Sequence, residues 1–189
     1  GENTAYTATT SYFNPKLCKI IYSSYCPKNG TIYDPFSSVV RPYMAKLLNY
    51  NYVGCEVRKD ECDKICEILN TNSLFEESDV RVLNIDCREF ESSQKFDLVF
   101  SCPPDWNLET YSEQENDMSS ISNYSDFLTE MSKVYSKCSS LMHDESYCCF
   151  VVADFRDYSE GRKLVNRLVP FVSDMIRCGE DSGLSLYDK

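Results

Sequence analysis

The sequence has no hydrophobic run long enough to cross a bilayer, and it does not open with a charged stretch followed by an apolar one. It also has no internal repeat and no low-complexity linker. These absences argue against a membrane protein, a secretory signal and a repeat architecture. For 189 residues, of which 42% are hydrophobic, the remaining expectation is one globular domain, residues 1–189, with a substantial core.

Basic residues are scarce relative to acidic ones, with 19 Lys and Arg against 30 Asp and Glu and a formal net charge of −11. A protein that binds a phosphate backbone needs clustered Lys and Arg, so this chain alone is not expected to bind nucleic acid through the backbone. If nucleic acid is the substrate, a partner chain or a region outside this sequence must supply the basic surface. The same charge is equally typical of an ordinary soluble protein.

The ligand pattern of a zinc site is missing as well. The chain has one histidine, His143, and none of its 11 cysteines forms a Cys-x-x-Cys pair. Cys62 and Cys66 are four positions apart on a predicted helix, and Cys148 and Cys149 are adjacent in an apolar strand. The odd number of cysteines favours buried free thiols, no metal site, and an intracellular, reducing compartment such as the cytoplasm or nucleus.

The sequence does contain a regular alternation of apolar strand-like runs and amphipathic helical segments. Strands are predicted for TIYDPF, YNYVGCEV, VRVLNIDC, FDLVFSC and YCCFVVADF, with LSLY as a candidate last strand. Helices are predicted over residues 14–25, 42–49, 59–70, 124–142 and 164–178. The polar stretch 107–123 lacks periodicity and is predicted to be a long loop, either functional or disordered. This order predicts an α/β fold with a mainly parallel sheet and helices on both faces.

Four predicted strands end in residues whose side chains can bind a ligand or take part in catalysis. The first ends at Asp34, the second at Glu56, the third at Asp86 and the fourth at Cys102. The carboxyl ends of parallel strands meet at one edge of the sheet, which is where open α/β sheets bind their ligands. An acid after the second strand can accept hydrogen bonds from both hydroxyls of a ribose, and an acid after the third can reach the amino edge of an adenine.

Simpler interpretations are open for each of these residues alone. Asp34 and Asp86 would cap the turns that follow them. Cys102 would be a small strand residue before a Pro-Pro pair, which ends the strand because proline cannot donate to a sheet. Trp106 would be a core residue. The combination at successive strand ends favours the ligand-binding interpretation.

Four segments resemble the S-adenosylmethionine-dependent methyltransferases that modify the exocyclic nitrogen of adenine or cytosine in DNA. SYFNPKLCKIIY resembles their opening segment, and IYDPFSSVVRPYMAKLLNYNYVGCEVR resembles their Asp-Pro-Phe cofactor loop with the ribose-binding acid. FDLVFSCPPDW resembles their catalytic strand end, and CFVVADFRD resembles a later strand of a phage and bacterial subgroup. The resemblance covers nearly the whole chain. It implies a Rossmann-like methyltransferase fold in one domain, residues 1–189, without a separate target-recognition domain.

The resemblance also implies a cofactor, S-adenosylmethionine, and two sets of site residues. Cofactor-binding roles fall on Asn14, Asp34, Phe36, Ser37, Glu56 and Asp86. Catalytic roles fall on Cys102, Pro103, Pro104, Asp105 and Trp106. In this arrangement Cys102 and the Pro103 carbonyl hold the N–H groups of the target amine, and an aromatic side chain stacks on a base swung out of its helix.

Two departures from the family pattern bear on activity. Asp105 stands where the family has the stacking aromatic, with Trp106 one position later. The cofactor loop continues as Ser-Ser-Val-Val, without the glycines that let a backbone approach its ligand. Methyl transfer to an adenine or cytosine amine is the preferred function. The alternatives are a catalytically inactive subunit, acting as scaffold or nucleic-acid platform for an active partner, and a nucleotide-binding module that keeps Glu56 and Asp86.

The implied partner is nucleic acid, with DNA favoured over RNA. Because the chain is acidic, it is expected to bind with help from another chain or region. No membrane partner is expected, and the oligomeric state is left open.

Overall fold

The computed structural model describes residues 13–71, 78–106, 108, 110–157 and 167–188, and the structural statements below concern those residues. They form helices α1 to α5 at Pro15–Tyr25, Val40–Leu47, Lys59–Thr71, Tyr124–Leu141 and Phe171–Asp181. They form strands β1 to β7 at Thr31–Asp34, Asn51–Cys55, Val80–Leu83, Phe96–Ser101, Met142–Phe150, Phe155–Asp157 and Arg167–Val169. A 3₁₀ turn, Met118–Ser120, lies between β4 and α4.

A five-stranded parallel sheet in the order β3-β2-β1-β4-β5 is the centre of the fold. Successive strand residues face opposite layers. Ile32 of β1 packs in the cluster with α1, α2 and α3, whereas Tyr33 packs in the cluster with α4 and α5. The sheet therefore has helices on both faces, and the predicted α/β fold is confirmed. β6 and β7 form a separate antiparallel ladder.

The connection from β3 to β4 crosses the α4 and α5 face without a helix of its own. Phe90 covers the sheet at this point. Its ring stacks on Tyr33 with 5.2 Å between centroids, lies 6.3 Å from the Phe96 ring, and is 7% exposed. Phe90, Cys87 and Ile85 therefore cover this part of the sheet without a crossover helix.

Two predictions near the C-terminal end are wrong. The helix predicted over 164–178 begins only at Phe171, because residues 167–169 pair with β6 and Pro170, which fits the start of a helix, follows them. Residues 164–166 lie outside the described residues. The LSLY segment forms no strand, because Leu184 packs into the core and the Tyr187 ring lies edge-on to Tyr147 at 5.2 Å. The predicted loop 107–123 is confirmed apart from its 3₁₀ turn, with residues 107 and 109 outside the described part.

The described residues contain no disulfide, no membrane-spanning helix and no cluster of metal ligands. None of their helices is long and apolar enough to span a bilayer. The 11 cysteines all lie within these residues, and all are free thiols. No group of three or more His, Cys, Asp or Glu side chains in this part of the chain is placed to hold a metal ion.

The strand order places a topological switch point, called the crevice below, between β1 and β4 at the carboxyl edge of the sheet. From β1 the chain winds outward to β2 and β3, and it then returns to place β4 on the other side of β1. Open α/β sheets bind ligands where the winding direction reverses in this way. Asp34 ends β1 and Ser101 ends β4, so these two residues lie at this switch point.

Gly54 in β2 allows the loop after β1 to lie on the sheet. A Cβ atom at this position would lie 2.6 Å from Ser37 Oγ and 2.8 Å from the Tyr52 ring. We expect Gly54→Ala to lower the free energy of unfolding, measured in urea, by about 1–3 kcal/mol because the overpacked loop must shift. Gly179→Ala in α5 is the matched control, since its Cβ would meet other atoms at 3.6 Å or more and alanine favours a helix. Equal losses in the two variants would contradict the packing argument.

Candidate functional site

The carboxylate of Asp34 is fully buried at the crevice and accepts four hydrogen bonds. The Ser101 hydroxyl at 2.5 Å and the Phe36 amide at 3.1 Å donate to Oδ1. The Tyr52 hydroxyl at 2.5 Å and the Arg41 Nε at 2.6 Å donate to Oδ2. A carboxylate has about four acceptor positions, so all of those on Asp34 are used inside the protein. Asp34, predicted as a cofactor residue, is the internal anchor of the crevice in this structure.

Arg41, which sequence reasoning missed, lies in the crevice beside Asp34. Its side chain is 3% exposed, its Nη2 donates to the Phe36 carbonyl, and its guanidinium lies 4.9 Å from the centre of the Phe13 ring. Burial opposes the charged form, but the Asp34 carboxylate raises the pKa of Arg41 above its ordinary value, so the side chain stays charged. An arginine at the start of the helix after Asp-Pro-Phe was the sequence signal that could have found it.

The loop after β1 is attached to the end of β2. The Ser37 amide donates to the Cys55 carbonyl at 2.8 Å, and Ser37 Oγ lies 3.0 Å from the Tyr52 hydroxyl. Because Tyr52 donates to Asp34, Ser37 is the donor in this second bond. Phe36 is half-buried against the cluster of α4 and α5. The Ser37 hydroxyl, predicted to contact the cofactor, therefore has an internal partner.

Glu56 directly follows β2 and pairs with Arg58. The Arg58 amide donates to Oε1 at 2.8 Å, and Nε and Nη2 lie 3.3 Å from Oε1 and Oε2. Burial raises the pKa of the Glu56 carboxyl, and the Arg58 hydrogen bonds oppose this shift. The Arg58 guanidinium also lies 5.5 Å from the centre of the Tyr111 ring. With three donors around it, Glu56 keeps acceptor capacity at Oε2.

Asp86 follows β3 by three positions and is held by Arg88 in a similar way. The Arg88 amide and Nε donate to Oδ1 at 2.9 Å, and Nη2 lies 2.5 Å from Oδ2. Arg88 also donates to Glu130 of α4 at 2.5 Å and to the Asn116 carbonyl at 3.1 Å. A polar cleft of about 360 Å³ opens beside this cluster, between the β3–β4 connection, α4 and the loop before Met118.

Each of the three strand-end carboxylates thus has its own arginine. The pairs are Asp34 with Arg41, Glu56 with Arg58 and Asp86 with Arg88. The pairing cancels the charge that three carboxylates would otherwise concentrate at one edge of the sheet, and so reduces their mutual repulsion. The acid-x-Arg spacing after β2 and again after β3 is a sequence signal that could have predicted two of these pairs.

Cys102 follows β4 on the other side of the crevice and is half-buried. Burial raises the pKa of its thiol, and the nearby Arg41 opposes this shift without cancelling it. At neutral pH the group is a thiol, which is a weak hydrogen-bond acceptor and not a thiolate nucleophile. Pro103 and Pro104 are buried, whereas Asp105 is exposed.

Trp106 lies in the core. It is 7% exposed, and its ring lies 4.9 Å from that of Tyr124 and 6.4 Å from that of Phe155. Its backbone has a φ of 52°, and its buried indole N–H has no hydrogen-bond partner among the residues that the structure describes. Of the two roles that the sequence left open, core residue and stacking residue, this position corresponds to the first. A ring enclosed on these sides cannot stack on a base unless the loop rearranges.

Asn14 caps α1, where its Oδ1 accepts the Lys16 amide at 2.9 Å, and it is exposed. The adjacent Phe13 reaches the crevice instead. Its ring lies edge-on to Phe100 at 5.6 Å and under the Arg41 guanidinium. The opening segment therefore contacts Phe100 and Arg41 through Phe13, whereas Asn14 makes a helix cap. The ends of β1 to β4 share one edge, because the four strands are parallel neighbours.

No protein-family model and no curated protein matches the chain. Solved structures do match it. The cyclopropane synthase MmaA2 from Mycobacterium tuberculosis has a TM-score of 0.65 over 92% of this chain and 61% of that one, at 10% identity. A TehB-like SAM-dependent methyltransferase from Corynebacterium glutamicum has 0.53 over 93% and 75%, at 15% identity. An O-methyltransferase from a trans-AT PKS multienzyme of Brevibacillus brevis, in complex with S-adenosyl-L-homocysteine, has 0.53 over 89% and 49%, at 11% identity.

The chain spans 59%, 39% and 44% of the lengths of three further matched structures, which is less than two thirds in each case. At such low identities the similarity is one of fold, and the reactions named for these proteins differ from one another. The Rossmann-like fold expected from the sequence is confirmed. The chain has the fold that SAM-dependent methyltransferases share.

Asp34→Asn should lower the free energy of unfolding by about 3–5 kcal/mol, because Arg41 would become a buried charge without its counter-ion. Chemical denaturation followed by circular dichroism measures the loss. Asp63→Asn is the matched control, since the Asp63 side chain is 63% exposed and its ion pair with Lys59 at the surface contributes little. The anchoring role of Asp34 would be wrong if both variants lost the same stability.

Proposed function

We propose that this chain binds S-adenosylmethionine at the carboxyl edge of its sheet and transfers the methyl group to an exocyclic amine of adenine or cytosine in nucleic acid, with DNA favoured. The observation that carries the proposal is the placement of Glu56 and Asp86 after β2 and β3, adjacent strands of a methyltransferase fold. Adjacent strands lie about 4.8 Å apart, so the two carboxylates can reach different parts of one nucleoside.

The nucleoside end of the cofactor fits the described residues. Glu56 keeps acceptor capacity at Oε2 for the hydroxyls of a ribose. The polar cleft of about 360 Å³ beside Asp86 offers space and hydrogen-bonding groups for an adenine. When bound, S-adenosylmethionine supplies an electrophilic methyl group on a sulfonium centre. In this proposal Glu56 and Asp86 would hold the nucleoside at the ends of β2 and β3.

In this proposal the target amine lies at the end of β4, on the other side of the crevice from Glu56 and Asp86. The lone pair of an exocyclic amine is delocalised into the ring, and acceptors for its N–H groups favour a geometry in which the lone pair is available. We assign this role to the Pro103 carbonyl and to the neutral thiol of Cys102, held by a rigid, buried Pro-Pro pair. The contribution of the protein is then mainly alignment. A partner chain or further region would supply the basic surface that this acidic chain lacks.

The position of Arg41 favours a second function. In this alternative the chain is a catalytically inactive methyltransferase-like subunit that serves as scaffold or nucleic-acid platform. The Arg41 guanidinium lies beside the Asp-Pro-Phe loop to which the resemblance assigns the cofactor, and all four acceptor positions of Asp34 are used. A complete cofactor would have to contact Arg41 where it lies or displace it. The two functions therefore differ first in whether the wild-type chain binds S-adenosylmethionine.

Glu56 should act in its ionised form. Burial raises the pKa of this carboxyl, so Glu56 takes up its proton at a higher pH than an ordinary glutamate does. We therefore expect the affinity for S-adenosylmethionine to fall on acidification, beginning at a pH above the ordinary pKa of glutamate. Glu56→Gln should weaken binding at neutral pH by about tenfold and remove the loss at acidic pH. Calorimetric titration at several pH values measures both effects.

Glu67→Gln, an exposed position on α3, is the matched control and should bind as the wild type does. A wild-type affinity and pH profile in Glu56→Gln would disprove the ribose role. If the wild type shows no saturable binding at millimolar cofactor, the inactive-subunit function replaces the first proposal.

Cys102→Val should lower methyl transfer by about tenfold and leave cofactor affinity unchanged, because the variant removes one acceptor for the target amine and keeps a similar volume. The measurement is transfer of labelled methyl groups to mixed DNA and RNA, followed by digestion and identification of the methylated nucleoside. Cys66→Val on α3, also half-buried, is the control and should transfer normally. Label on a base carbon or on a ribose oxygen would contradict the amine assignment.

A further inference from the structure

Residues 110–120 form a loop that has no strand but does have a buried polar centre. The Asp117 carboxylate, 5% exposed, accepts the Ser112 hydroxyl at 2.7 Å, the Ser119 amide at 2.9 Å and the Ser119 hydroxyl at 2.7 Å. Ser119 Oγ in turn accepts the Tyr111 amide at 2.9 Å. Compact loops that are held together by their own side chains are frequently functional.

This loop is attached to the edge of the sheet at two points. Arg58, which is bonded to Glu56, has its guanidinium 5.5 Å from the centre of the Tyr111 ring. Arg88, which holds the carboxylate after β3, donates to the Asn116 carbonyl at 3.1 Å. The arginines that neutralise the two predicted nucleoside-binding acids therefore also hold this loop beside the ends of β2 and β3.

We propose that residues 110–120 form the roof of the cofactor site and that Tyr111 is the aromatic side chain that covers the adenosine of the cofactor. This inference rests on the proposed function, because it assumes that the nucleoside lies at Glu56 and Asp86. It assigns to Tyr111 a binding role and to Arg58 a positioning role, since Arg58 contacts both Glu56 and the Tyr111 ring.

The exposure of the aromatic side chains near this edge supports the choice of Tyr111. Tyr111 is 49% exposed although its backbone amide is fixed by Ser119, whereas Phe90 and Trp106 are each 7% exposed and packed in the core. A guanidinium beside an aromatic ring holds the ring in a defined orientation. Stacking on a nucleobase needs an accessible aromatic face and works with any base. Among these three rings, Tyr111 combines a fixed position with access from outside.

The test compares Tyr111→Ala, Tyr111→Phe and Tyr187→Ala in calorimetric titrations. Tyr187 is the matched control, because it is 74% exposed and contacts Tyr147 of β5, away from the proposed roof. The probes are S-adenosylmethionine, S-adenosylhomocysteine and 5′-methylthioadenosine, which carries the nucleoside without the amino acid. We expect Tyr111→Ala to weaken all three by the same factor, about tenfold, while the other two variants bind as the wild type does.

The outcomes separate this inference from the function on which it rests. If the wild type binds S-adenosylmethionine and Tyr111→Ala binds it equally well, the roof assignment is wrong and the proposed function stands. A loss for S-adenosylmethionine without a loss for 5′-methylthioadenosine would also overturn it, because Tyr111 would then contact the amino-acid end. A wild type that binds none of the probes overturns the proposed function and the roof together. Two results distinguish ligand contact by Tyr111 from a purely structural role. The variants should have equal thermal stability, and Tyr111→Phe should keep the affinity that Tyr111→Ala loses.

Discussion

The Asp34 carboxylate connects four parts of the chain at the point where the winding of the sheet reverses. It ends β1, and its donors come from β2, from β4, from the first turn of α2 and from the loop between β1 and α2. A buried carboxylate is tolerated only when its acceptor positions are filled and its charge is balanced. Both conditions are met here, so the position of the loop after β1 and the buried charge of Arg41 depend on this one group.

The pairing of acids with arginines changes the electrostatics of the candidate site. Three carboxylates at neighbouring strand ends would make this edge strongly negative in a chain that already carries a net charge of −11. The three arginines offset the charge of these three carboxylates, and two of them also contact α4 and the loop 110–120. The same residues therefore reduce repulsion between the acids and hold the surrounding elements in position. This explains why arginine, with several donors in a fixed plane, occurs at these positions.

The motif around the Pro-Pro pair predicts where the candidate site lies, but it does not predict which aromatic side chain of the following loop is accessible. The sequence resemblance requires an aromatic side chain here, and Trp106 was the nearest one along the chain. The structure packs Trp106 between Tyr124 and Phe155, because a large apolar ring gains more from burial than an exposed loop position would allow. Tyr111, five positions later, is the ring that stays accessible on the same loop.

The sequence by itself determined the α/β class, the parallel strands and the edge at which Asp34, Glu56, Asp86 and Cys102 meet, because strand periodicity and chain order are local properties and parallel strands carry their ends to one side. It did not determine which acids were available to a ligand, since Arg41 pairs with Asp34 across an intervening loop and Ser101 donates to it from 67 positions away. The sequence also left Trp106 open between a core and a stacking role, and it did not show the late start of α5. Both depend on which apolar side chains and strand edges meet in space, and only the tertiary structure decides that.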